Sequence, residues 1–184
     1  AHAEDKNAGQ IIGEACAEIW ATKTIDDLDT ISGGIVDMVN ATRDRLEIEM
    51  LKASKTYVAA RTRYSSAYYA SAYAMMKHAS LTGNKQLYEA ALEDSKKHLT
   101  AAEMDALVDK VAEGAAKFVF EHPDELVAST EEMINLYAKE IVAHTEMVAA
   151  RKAMLAIKGR LNAASLIVDA IRVCIKDQEK VLRG

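Results

Sequence analysis

Residues 50–81 read MLKASKTYVAARTRYSSAYYASAYAMMKHASL, and their spacing decides the fold. Met50, Tyr57, Tyr64, Ser71 and His78 recur every seven residues, and three places after each stand Ala53, Ala60, Ala67, Ala74 and Leu81. Sustained alternation of three and four residues is the signature of a helix packed along another helix. The alanines let a partner backbone come close, while the tyrosines fill the layers between them. Tyr68 and Met75 widen the stripe. This seam is the first candidate interaction surface.

Outward from the seam, nothing breaks a helix between Ile35 and Thr82. That is roughly 48 residues, or about 70 Å at the helical rise. Upstream, Ile11/Ile12, Ala15/Cys16 and Ile19/Trp20 are paired at helical spacing, so a helix is expected over about 7–23. Thr24 is placed to cap a following turn, with Asp26 and Asp27 suited to the positive end of the helix dipole. Gly33-Gly34 is expected to end a short helix there or kink a longer one.

Downstream, Gly83 supplies a stop and Asn84 a new cap, which opens a helix over about 85–97. Thr100-Ala101-Ala102-Glu103 is a capping box with Leu99 and Met104 as its hydrophobic staple, predicting a helix over about 101–121. His122-Pro123 marks another start, because proline is favoured at the first helical position. Ser129-Thr130-Glu131-Glu132 is a place where that helix can restart after a small break. It then runs to Lys158, Gly159 closes it, and a last helix covers about 161–182. A second seam is expected through Ile134, Ile141, Val148 and Leu155, with Tyr137, His144, Arg151 and Lys158 as companions. The last helix offers Leu161, Val168, Ile175 and Leu182 with Ala164, Ile171 and Gln178 between them.

Composition agrees with the pattern. The 184 residues include 33 alanines and a single proline, half are hydrophobic, and turn residues are too scarce for a many-stranded sheet. The apolar fraction excludes a disordered chain. No apolar run approaches the ~20 residues of a spanning helix. The expectation is one all-α domain over residues 1–184, an elongated antiparallel bundle with one very long heptad-patterned helix and several shorter ones.

The net charge of −5 hides an alternation. Residues 1–50 carry −7, 51–80 carry +5 with no acidic side chain, 81–150 carry −8, and 151–184 carry +5. Blocks of alternating sign suit segments that lie against oppositely charged partners, within one chain or between copies.

Chemistry is sparsely signalled. Tyr137, Glu140 and His144 share one helix face, and with Arg151 they form a candidate polar pocket for a ligand, with a register-fixing polar layer as the alternative. Paired Glu-x-x-His motifs, which a di-metal bundle needs, do not occur, and no metal or cofactor is expected. Lys52, Lys55, Arg61, Arg63 and Lys77 interleave with Tyr57, Tyr64, Tyr68, Tyr69 and Tyr73. That mixture suits phosphate contact and base stacking, but a tyrosine in a seam is withdrawn from solvent, so a nucleic-acid partner is not expected. Nucleophile-elbow, phosphate-loop and dinucleotide glycine patterns are absent.

Cys16 and Cys174 either pair, if the terminal helices are neighbours in an oxidising compartment, or stand as small buried residues. The chain opens on alanine, and Ala1-His2-Ala3 has the small-x-small pattern of a cleavage site. The compartment, cytoplasmic or secreted and periplasmic, stays open. The leading expectation is a non-enzymatic assembly or scaffold protein of filament or pilus-associated type. It self-associates or docks on a protein partner through the Ala/Tyr seam. The alternative is a sensor-like bundle binding a ligand or metal around Tyr137, Glu140 and His144.

Overall fold

A computed structural model of the chain describes residues 7–117 and 123–184. Among these the only regular structure is helical, in the order α1 (Ala8–Trp20), α2 (Ile25–Thr82), α3 (Lys85–Lys96), α4 (Ala101–Lys117) and α5 (Pro123–Arg183). The all-α bundle expected from composition and periodicity is the architecture found. Ala1-His2-Ala3, His122 and the expected end of α4 near Glu121 lie outside the described residues.

Local chemistry sets most helix ends. Asn7 and Gln10 form a reciprocal capping box at α1, with the Gln10 amide donating to Asn7 Oδ1 at 2.8 Å. The Asp27 amide donates to Thr24 Oγ1 at 3.1 Å, so Thr24 opens α2 as its sequence context predicts. Gly83 ends α2 in the left-handed region at φ 69°, where an L side chain is strained, and the Asn84 amide turns back onto the Ala79 carbonyl. Asn84 then caps α3 through the Leu87 amide. Thr100 and Glu103 bond reciprocally at the start of α4.

No helix ends at three places where an end was expected or allowed. α2 continues through Gly33-Gly34, and α5 continues through both Ser129-Thr130 and Gly159. All three glycines are exposed, and a Cβ built on any of them meets nothing within 4 Å. Each weakens its helix by about 1 kcal/mol relative to alanine. That penalty is local, whereas the buried stripes that hold α2 and α5 in place continue on both sides of it.

Contacts divide the chain into two compact units. Unit 1 comprises residues 1–55 and 151–184, and unit 2 comprises 56–150. The dividing points fall inside α2 and α5, so a chain without linker composition still resolves into two packed units.

Unit 1 packs α1 and segments of α2 and α5 around Cys16, Ile19, Leu28, Val39, Ile167, Val168 and Ile171. Cys16 and Cys174 are joined by a disulfide, with Cα atoms 5.7 Å apart across a sequence separation of 158. Nearby, buried Gln178 donates to the Thr22 carbonyl at 2.9 Å, which satisfies a backbone acceptor beyond the end of α1.

Unit 2 packs segments of α2 and α5 with α3 and α4. Its core is Tyr68, Ala72, Met76, Ala91, Leu107 and Val111. Tyr73 lies so close to α4 that a Cβ on Gly114 would fall 2.6 Å from its hydroxyl. Glycine is used there for the close approach of two elements.

Candidate functional site

The residues of the expected α2 seam are withdrawn from solvent to different degrees. Ala60, Ser71 and Ala74 are buried, while Met50, Ala53, Tyr57, Tyr64, Ala67 and His78 are half-buried. In unit 2 its cover is the chain's own α5. The Tyr64 ring centroid is 5.2 Å from that of His144, and His78 Nδ1 shares a 3.0 Å hydrogen bond with Ser129 Oγ. A heptad says that a helix packs along this face but not whose helix it is. Here it is an intramolecular one, so the seam in unit 2 is not an open docking surface.

On α5 the buried stripe differs from the expected second seam. Met133, Leu136, Glu140, Ala143, Met147 and Ala150 are buried or half-buried in unit 2. Met154, Ile157, Leu161, Ala164, Val168 and Ile171 continue the same alternation of three and four through unit 1. Leu161 to Leu182 are therefore in the register read from sequence. Ile134, Ile141 and Leu155 are exposed, Val148 is half-buried, and the companions Tyr137, His144, Arg151 and Lys158 are also exposed. Gly159 does not end α5, so one frame of buried and half-buried positions runs through it from Met133 to Ile171.

The expected polar pocket is correspondingly scattered. Tyr137 points to solvent, and Arg151 is exposed in unit 1. Glu140 and His144 do bear on one residue: the His144 ring packs against Tyr64, and the Glu140 carboxylate is near enough to oppose ionisation of its phenol. What they join is a cluster that the sequence did not announce. Tyr64 and Tyr68 sit with ring centroids 6.0 Å apart, and His98 packs 4.7 Å from Tyr68 and edge-on to Tyr64. Tyr68 donates from its hydroxyl to Asp94 Oδ2 at 2.6 Å.

Electrostatics keep both phenols protonated. Burial raises the Tyr64 pKa above its ordinary value, and the Glu140 and Asp94 carboxylates raise it further. Burial is also the largest influence on Tyr68, followed by its hydrogen bond to Asp94, so its pKa is well above the usual tyrosine range. A neutral phenol can donate a hydrogen bond, as Tyr68 does to Asp94, and so fix geometry or hold an acceptor group. It is a poor base at neutral pH. Among the described residues no three His, Cys, Asp or Glu side chains are placed to share a metal ion.

The basic and aromatic stretch of α2 is also used internally. Lys110 lies over the rings of Tyr73 and Tyr69, at 4.5 and 5.6 Å from their centroids, and Lys77 lies 5.8 Å from Tyr73. These faces are engaged by cations of the same unit, which weakens their use as stacking platforms for bases.

The misplaced second seam marks a surface feature instead. Val127, Ile134 and Ile141 are 56%, 57% and 49% exposed at steps of seven, and Tyr137 stands beside them at 49%. Seven residues advance the helix by about 10 Å and return to nearly the same face. The result is an apolar stripe on α5, opposite its buried stripe. Isolated exposed apolar residues are ordinary, but an aligned run is the pattern of an interaction surface.

No helix among the described residues is long and apolar enough to cross a membrane. Comparison of the chain with protein-family models, curated proteins and solved structures gives no match.

Proposed function

We propose that this chain is a non-enzymatic helical assembly protein that docks on a protein partner through the outer face of α5 in unit 2. A second copy of the chain is the first partner to consider. The observation carrying this reading is the exposed stripe of Val127, Ile134, Tyr137 and Ile141. Charge supports it. Residues 123–150 carry six acidic side chains against the single Lys139, while residues 51–80 carry five basic and no acidic ones. Opposite blocks on two copies attract and fix the register of a contact whose affinity comes from the apolar stripe. The disulfide supports an oxidising compartment, where a filament, pilus-associated or scaffold subunit would work.

Sedimentation velocity over a wide concentration range tests the proposal. The expected result is concentration-dependent association that weakens with added salt. It should disappear in an I134E/I141E double variant whose circular dichroism is unchanged. A monomer at every concentration overturns it.

A second reading, a ligand-binding bundle, is favoured by the convergence of His98, His144, Asp94 and Glu140 around Tyr64 and Tyr68. It requires a bound molecule in purified protein, or stabilisation in a thermal-shift screen, lost in H144L while the fold persists. Blank elemental analysis, absorbance and screening together dismiss it.

A further inference from the structure

We infer that unit 1 contains a binding site for a small apolar molecule, of the size of one aromatic ring or a short branched alkyl group. The site is a half-open cleft of about 150 Å³ between α1, α2 and α5. Its floor is made by Val39, Leu46, Ala164 and Ile167, all buried. Met38, which is 58% exposed, and Arg160 stand at its mouth.

The cleft is a product of side-chain choice. Interiors pack to nearly crystalline density, and empty space of this size weakens a core in proportion to its volume. Elsewhere along these faces stand Leu28, Ile35, Val168 and Ile171. Where the cleft lies, α1 presents Ala8, α2 presents Thr42 and α5 presents Ala163. Three short side chains from three helices leave the space between them.

Its chemistry selects an apolar guest. A trapped water needs two to four polar partners. The one hydroxyl of the lining, on Thr42, already donates to the Met38 carbonyl at 3.2 Å. The Arg160 guanidinium faces the Glu49 carboxylate at 3.8 Å, and both side chains are partly exposed. The lining therefore offers water few partners, whereas an aliphatic or aromatic group seated there removes apolar surface from water. Methionine at the mouth suits entry, because its unbranched side chain repacks readily around guests of different shape.

Benzene titrated into the full, disulfide-bonded chain tests the site, with methyl resonances followed by NMR. Saturable shifts are expected at Ile11, Leu46 and Ile167, while Val142 and Ile134 in unit 2 stay unmoved. Ala163→Leu fills the space and should weaken binding by about tenfold or more. Ala8→Leu is the second filling variant, should the first fail to fold. Absence of saturable shifts at those three residues overturns the inference. So does undiminished binding by a folded filling variant.

Discussion

Gln178 reaches across unit 1 to hold the carbonyl of Thr22, a residue 156 positions away, with both side chains buried. A glutamine in a helix stripe otherwise filled by Leu161, Ala164, Val168 and Ile171 breaks the apolar pattern, and this bond is the reason it is tolerated. Replacing it by leucine keeps the volume but leaves a buried carbonyl without its donor. The expected loss is about 1–3 kcal/mol of stability, measured by denaturant unfolding. An unchanged midpoint would mean that the Thr22 carbonyl finds another donor.

The Cys16–Cys174 disulfide lies in the same unit and ties α1 to α5. It closes nearly the whole chain into one loop, so it removes much of the freedom of the unfolded state. Its reduction, or a C16A/C174A double variant, should lower stability by about 2–5 kcal/mol. Hydrogen exchange locates the effect. Amides near Ile19 and Ile171 in unit 1 should lose protection before those near Leu107 and Val111 in unit 2.

Gly114 and Tyr73 make a sharper test of packing. Alanine at 114 should gain up to about 1 kcal/mol of helix propensity. Its Cβ, however, would stand 2.6 Å from the Tyr73 hydroxyl. That ring lies under the Lys110 ammonium of α4, with the Lys77 ammonium 5.8 Å from its centroid. The clash should outweigh the propensity, so G114A is destabilising. In a Y73F background, which removes the obstructing oxygen, the same change should be neutral or favourable. A double-mutant cycle on unfolding free energies measures the coupling, expected at about 0.5–3 kcal/mol.

Gly33, Gly34 and Gly159 predict the opposite outcome. Each is helical and exposed with open space at its missing Cβ, and none has a positive φ. Alanine at each position should stabilise the protein by up to about 1 kcal/mol, read as a rise in the thermal midpoint. A fall at Gly33 or Gly34 would show that α2 needs to bend there.

Those glycines also explain what the sequence revealed and what it concealed. The α2 seam was legible because Met50 to Leu81 alternate without interruption, and Gly83 was legible as a stop because Asn84 supplies the next cap. Gly159 misled because glycine marks a helix end only when no packed stripe continues past it. Extended backwards from Leu161, the stripe gives Ile157, Met154, Ala150, Met147 and Ala143, all at least half-buried. The cluster around Tyr64 was half legible. Glu140 and His144 share a helix face, but Asp94 and His98 come from the end of α3 and the turn beyond it, and only tertiary packing brings them there. Whether Cys16 meets Cys174 depended equally on which helices are neighbours, and a heptad pattern does not name its partner.

Tyr68 gives the last prediction, a pH dependence. Burial and the Asp94 hydrogen bond raise its folded-state pKa above the ordinary value of about 10. Below pH 10 the hydroxyl is protonated in both folded and unfolded chains, so it adds no slope to stability. Above pH 10 the unfolded chain releases the proton while the folded chain retains it, and folding then becomes weaker as pH rises. Tyr64, raised in the same direction, adds to the decline. Stability from denaturant titrations should therefore fall between about pH 10 and 12, and Y68F should flatten that fall. The variant also loses the 2.6 Å bond to Asp94, a loss of about 0.5–1.5 kcal/mol at neutral pH. An alkaline slope identical in wild type and Y68F would mean that Tyr68 ionises as readily folded as unfolded.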